Sequence, residues 1–102
     1  MRRLMVRYKI KADRVAENER YVAAVFEELR RNQTPGLRYA SFKLADGLSF
    51  VHIVSHESPG NTNRLVELPA FKAFASTIEE RCDELPVTAD LTEVGSYRFF
   101  GE

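Results

Sequence analysis

At 102 residues, with 44% hydrophobic and 29% charged side chains, the chain has the composition of one globular domain with its own core. No apolar run approaches the ~20 residues that span a bilayer, and the alternating start MRRLMVRYKI lacks the continuous apolar stretch of a signal peptide. Fifteen basic and fifteen acidic residues cancel and are scattered, which excludes the electrostatic footprint of a nucleic-acid or anionic-membrane binder. The single cysteine excludes an internal disulfide and reads as a cytoplasmic setting. A chain without net charge also has little self-repulsion, which mildly favours association.

The first predicted strand covers Arg3 to Lys11, with Leu4, Val6, Tyr8 and Ile10 on one face and Met5, Arg7, Lys9 and Lys11 on the other. Asp13 reads as the N-cap of a helix running to about Arg31, whose stripe is Val15, Val22, Val25, Phe26 and Leu29. The segment NQTPG, from Asn32 to Gly36, stops it. Two alternating runs from Leu37 to His56 flank Asp46-Gly47, the signal for a two-residue hairpin turn. Ser58 to Asn63 is dense in turn formers, Leu65 to Leu68 reads as a short helical turn, and Pro69 opens a second helix. Phe71, Phe74, Ala75, Ile78 and Cys82 form the apolar stripe of that helix, which Leu85-Pro86 ends. Val87 to Phe100 reads as a long last strand, bulged or kinked at Gly95. The order β-α-β-β-α-β predicts one α+β domain over residues 1–102, an antiparallel sheet with helices on one face in the ferredoxin-like, split βαβ arrangement.

With Ala45 facing Leu48, the hairpin register pairs Phe42 with Val51, Ala40 with Ile53 and Leu44 with Ser49 on one face. Lys43 with Phe50, Ser41 with His52, Tyr39 with Val54 and Leu37 with His56 share the other. The first face is small and apolar and is expected beneath the helices. The second is too apolar for water, so Leu37, Tyr39, Phe50, His52 and Val54 predict a homodimer, sheet against sheet about a two-fold axis.

Read residue by residue, these elements resemble the dimeric α/β-barrel superfamily, and especially its antibiotic biosynthesis monooxygenase-like branch. The similarity is carried by RLMVRYKIKADRVAENERYVAAVFEELR, LRYASFKLADGLSFVHIV, LPAFKAFASTIEERC and TEVGSYRFF, nearly the whole chain. It implies a ferredoxin-like fold that dimerises so that two sheets enclose a barrel, with a pocket between each sheet and its helices. Members include cofactor-free oxygenases of polycyclic aromatic ketides and haem-degrading enzymes, which often place a tryptophan and an asparagine in the pocket. This chain has no tryptophan and no asparagine in its first strand.

Three polar residues are candidates for chemistry. Asn18 falls inside the apolar stripe of the first helix; it either binds a ligand carbonyl or phenol, or is an ordinary first-turn asparagine bonded locally. Tyr8 either supplies a phenol to a pocket or is core with its hydroxyl at the rim. His52 either shuttles a proton, its reference pKa being about 6.5, or bonds Ser41 or the partner chain at the interface, the more usual role for such a histidine. His56, expected to be solvated, lies ~13 Å from His52 along the strand, too far to share a metal with it. No ligand cluster predicts a metal or other cofactor. Cys82 reads as a small hydrophobe, and Tyr97, Phe99 and Phe100 as packing. Two functions remain open: a cofactor-independent oxygenase on an aromatic or polyketide-like molecule, and a non-catalytic homodimer that binds an apolar small molecule or serves a structural or regulatory role. A core filled by Phe42, Phe71 and Phe74 argues for the second, and an open cavity containing Asn18 or Tyr8 for the first.

Overall fold

The computed structural model describes residues 2–57 and 63–99. Strand β1 (Arg2–Ile10) leads through a 3-10 turn at Ala12–Arg14 into helix α1 (Val15–Asn32); strands β2 (Leu37–Lys43) and β3 (Ser49–His56) form the hairpin. A 3-10 turn at Leu65–Glu67 precedes helix α2 (Pro69–Ser76), a short helix α3 (Ile78–Arg81) and strand β4 (Cys82–Leu91). The sheet order is β2-β3-β1-β4, every pairing is antiparallel, and the helices pack on one face, which is the ferredoxin-like α+β arrangement. No described helix is long and apolar enough to cross a membrane.

Local chemistry departs from expectation at several ends. Asp13 does not cap α1: it lies within the 3-10 turn, and Arg14 occupies the N-cap position with no side-chain cap. Arg14 is held instead by a two-pronged ion pair with Glu17, both contacts at 2.9 Å. The helix ends with Gln33 in the left-handed region (φ 47°). The second helix breaks at Thr77, so Cys82 opens β4 rather than ending a helical stripe. Leu85 and Pro86 therefore lie inside a strand. This is tolerated because β4 is an edge strand paired only with β1, and Pro86 sits at a bulge where Arg7 pairs with Val87 but Lys9 with Glu84. Strand β4 stops at Leu91, short of Gly95 and of the expected end, Phe100, which lies outside the described residues, as does the Ser58 to Asn63 loop except Asn63.

The hairpin register is the expected one, from Leu37 opposite His56 to Lys43 opposite Phe50. The turn chemistry differs. Leu44 N–H donates to Ser49 O (2.8 Å) and Gly47 N–H to Leu44 O (3.0 Å), so Asp46 and Gly47 end a turn rather than fill its two centre positions. The Asp46 carboxylate accepts from Ser49 Oγ (2.6 Å) and from the backbone of Ser49 and Leu48. Those bonds, the Ser49 side chain first, pull its pKa down to about 2. Gly47 takes φ +73°, the left-handed conformation in which a side chain is strained.

The two faces are the reverse of expectation. Strand β1 pairs Leu4 with Val54, Val6 with His52 and Tyr8 with Phe50, so these residues share a face with Tyr39 and Leu37. That face lies under the helices, against Val25, Leu65, Phe74 and Ile78. The five residues expected at a dimer interface, Leu37, Tyr39, Phe50, His52 and Val54, are thus part of the helix-covered layer. The open face carries Met5, Ala40, Phe42, Val51, Ile53, Val87 and Ala89, and Phe42 is 47% exposed. The reason is area: aromatic and branched side chains bury more apolar surface against α1 and α2 than Ala40, Ser49 and Val51 can, each large one contributing roughly 1.5–3 kcal/mol. The hairpin alone does not decide which face wins; β1, with Tyr8 and Ile10 both almost fully buried, does.

Candidate functional site

The three candidate residues meet in one buried hydrogen-bonded chain, and its origin is a residue that pattern reading passed over. Arg81, the last residue of α3, is completely buried (0% exposed). It is seven residues beyond Phe74 and three beyond Ile78, the spacing of the apolar stripe, and that periodicity was the available signal. Its guanidinium lies over the rings of Tyr21 (4.3 Å) and Phe74 (5.3 Å). It donates to Phe74 O (3.0 Å), Thr77 Oγ1 (2.6 Å) and Asn18 Oδ1 (3.1 Å). Among the described residues no carboxylate lies within ion-pair distance of it.

A guanidinium can only donate, and this fixes the direction of everything downstream. Asn18, also 0% exposed, must turn Oδ1 to Arg81, so its Nδ2 donates to Tyr8 Oη at 3.0 Å. Tyr8 Oη then has its own proton free for His52 Nε2, 2.7 Å away. With Nε2 accepting, the neutral imidazole carries its proton on Nδ1 and donates it to Tyr39 Oη at 2.5 Å. Ser41 Oγ is a second neighbour of Nε2 at 3.3 Å. The rings are held by their neighbours: Tyr8 stacks on Phe50 (5.5 Å) and Tyr39 on Phe26 (5.2 Å), and His52 packs tilted against Phe74 (5.6 Å).

Burial sets the protonation states. It pulls His52 down to about 4, so the imidazole is neutral near pH 7. It pushes Tyr8 well above the usual phenol range, outweighing the Asn18 hydrogen bond and the Arg81 charge that act the other way. Tyr39 is raised likewise, by burial and then by Tyr8. The chain is therefore a row of neutral groups polarised by one buried cation.

Tyr8, Tyr39 and His52 form one end of a cavity of about 280 Å³ between the sheet, α2 and α3. Its walls are Leu4, Val6, Val54, Phe71, Phe74 and Ile78. Phe71 and Phe74 line this space rather than fill it, and Phe42 is on the opposite side of the sheet. Asn18 is not in the wall; it stands behind Tyr8 and acts on the cavity through it. His56, expected to be solvated, is only 2% exposed and lines the cavity at the end of β3 away from Tyr8; Asn63 lines the cavity too. Cys82 is buried and its thiol is pushed up by that burial, which leaves it unreactive. Among the described residues no group of three or more His, Cys, Asp or Glu is placed to hold a metal ion.

The fold is that of antibiotic biosynthesis monooxygenase proteins. A solved antibiotic biosynthesis monooxygenase superposes with a TM-score of 0.76 at 14% identity, covering 93% of this chain and 100% of that one. Rv0793 from Mycobacterium tuberculosis gives 0.76 at 16% identity over 93% and 96%. A variant of SnoaB, a cofactor-independent oxygenase from Streptomyces nogalater, gives 0.69 at 18% identity over 93% and 94%. No protein-family model matches the sequence, and no curated protein does.

Proposed function

We propose that the chain is a cofactor-independent oxygenase of an acidic aromatic or polyketide-like phenol or enol bound in the helix-sheet cavity. The observation that carries the reading is the Tyr8 hydroxyl, set between Asn18 and His52 at the wall of an apolar space. The substrate hydroxyl gives its proton to Tyr8 Oη while the proton of Tyr8 passes to His52 Nε2. The product of that step is a substrate anion facing a hydroxyl donor and an imidazolium whose two N–H groups point at Tyr8 and Tyr39. The buried positive charge of Arg81, carried through Asn18, favours that anion. The anion, as its carbanion form, then supplies the electrons: it bonds to dioxygen, the peroxide takes back the proton from His52, and loss of water with cleavage of the O–O bond leaves a carbonyl. Every electron comes from the substrate, and one oxygen atom leaves as water. The named activity of SnoaB, which shares the fold, supports the reaction class.

The test is oxygen consumption against a panel of hydroxylated anthrones and quinols, beside Asn18→Ala. Uptake by the wild type that falls in the variant supports the oxygenase. Binding without uptake across the panel leaves the second reading, a non-catalytic small-molecule binder, favoured by the neutrality of every group that lines the polar end of the cavity.

A homodimer belongs to the same proposal, now through the open face. Met5, Phe42, Val51, Ile53 and Val87 make that face too apolar to stand in water, and a second copy about a two-fold axis covers it on both subunits at once. A reducing, cytoplasmic setting suits the buried free cysteine.

A further inference from the structure

Within the described residues the far end of the cavity holds a polar group with nothing to bind. His56 is 2% exposed, and its Nδ1 is buried with no hydrogen-bond partner. A buried nitrogen left unpaired is costly, and such groups in a folded protein call for an explanation. Burial, and then the Arg2 charge, hold its pKa below the usual imidazole value, so the ring is neutral and able to donate or accept. His56 lines the cavity, and among the described residues no hydrogen bond holds its ring.

Asn63 also lines this cavity. Its Oδ1 is committed to the backbone N–H groups of Leu65 (3.1 Å) and Val66 (3.3 Å), which fixes the amide and leaves Nδ2 as the free, donating side. One donor and one amphoteric nitrogen match a hydroxyl, which accepts from the first and donates to the second. Between this pair and the Tyr8–His52 end the wall is mostly apolar, with Leu4, Val6 and Val54 and the one hydroxyl of Thr88 beside Val6. His52 and His56 are four residues apart on one face of β3, about 13 Å along the strand.

We propose that His56 and Asn63 form a second polar subsite, and that the ligand is an elongated aromatic carrying an oxygen function at each end. One oxygen meets Tyr8 and His52, the other His56 and Asn63. The inference rests on the cavity being the ligand site proposed above, and it stands whether or not the bound molecule is oxidised.

The test compares two probes by calorimetric titration: 2,6-dihydroxyanthraquinone, with a hydroxyl at each end, and 2-hydroxyanthraquinone, with one. The wild type is expected to prefer the first by about tenfold, the worth of one good hydrogen bond. His56→Phe, which keeps ring volume, is expected to bind both probes alike, and His56→Gln to recover part of the preference. Asn63→Asp, which keeps the cap on Leu65 and Val66 and removes the donor at an exposed position, supplies a second measurement that does not depend on a core substitution folding. Its preference is expected to fall as well. No preference in the wild type, including binding of neither probe, overturns the subsite, as does a preference that survives both His56→Phe and Asn63→Asp. Oxygen uptake is recorded separately on the anthrone and quinol panel, since the quinone probes have no oxidisable C–H: discrimination between the probes with no uptake on the panel keeps the subsite and removes the oxygenase.

Discussion

Tyr8 Oη and His52 Nε2 lie 2.7 Å apart on adjacent strands, two residues out of direct pairing, because β1 sets Val6 rather than Tyr8 opposite His52. The diagonal offset lets a phenol and an imidazole reach each other along the sheet while both rings stay packed under Phe74. The same offset on the other side brings Tyr39 Oη to His52 Nδ1, since Ser41 is the residue paired with His52.

Removing the Tyr8 hydroxyl strands two buried partners. Tyr8→Phe is expected to leave Asn18 Nδ2 and His52 Nε2 without their main contact and to cost about 1–3 kcal/mol of stability. If the proposed proton transfer operates, turnover falls by roughly 10²–10⁴. Urea denaturation and oxygen uptake measure the two effects separately; a variant with wild-type turnover rules Tyr8 out of the transfer.

The direction of the hydrogen-bonded chain has its own observable. Imidazole ¹⁵N shifts of His52 are expected to show a protonated Nδ1 and a bare Nε2 in the wild type. In Arg81→Met the Asn18 amide loses its anchor and the two tautomers mix. Loss of three donors and two ring contacts is expected to cost about 2–4 kcal/mol. A wild-type Nε2 proton contradicts the directionality drawn from Arg81.

Stability depends on pH through His52. Its folded pKa of about 4 lies below the unfolded value of 6.5, so the unfolded chain takes up a proton that the folded one refuses. The contribution is complete above pH 6.5, is lost as pH falls toward 4, and amounts to about 3 kcal/mol for this buried ring. His56, also lowered, acts in the same sense. Denaturation midpoints measured from pH 7 to pH 4 are expected to fall steadily, with a shallower slope in His52→Leu. Equal slopes in the two proteins remove His52 as the cause.

The assembly is checked at the open face. Phe42→Glu places a charge on the exposed side of β2 without touching the cavity. Multi-angle light scattering at micromolar concentration is expected to find a wild-type dimer and a monomeric variant with an unchanged circular dichroism spectrum. A monomeric wild type refutes the dimer, and a variant that remains dimeric refutes this face as its interface.

The sequence by itself determined the order of elements, the hairpin register and the identity of the polar residues worth testing, because each follows from local rules. Alternation sorts a strand into two sets, a turn between two runs aligns them, and an asparagine in an apolar stripe points inward. Those rules are silent on which set faces the helices, since both sets in the hairpin are apolar enough. The choice came from β1, which pairs with β3 across intervening helix and hairpin and commits Tyr8, His52 and Tyr39 to one side. Arg81 was passed over and His56 misjudged for the same reason: a charge near a helix end and a histidine at a strand end are normally solvated. Only the closure of α3 over Asn18, and of the Leu65–Glu67 turn beside His56, takes their water away. Burial is a property of what packs on a residue, and for these two the covering elements lie far away in sequence or fold back through a turn.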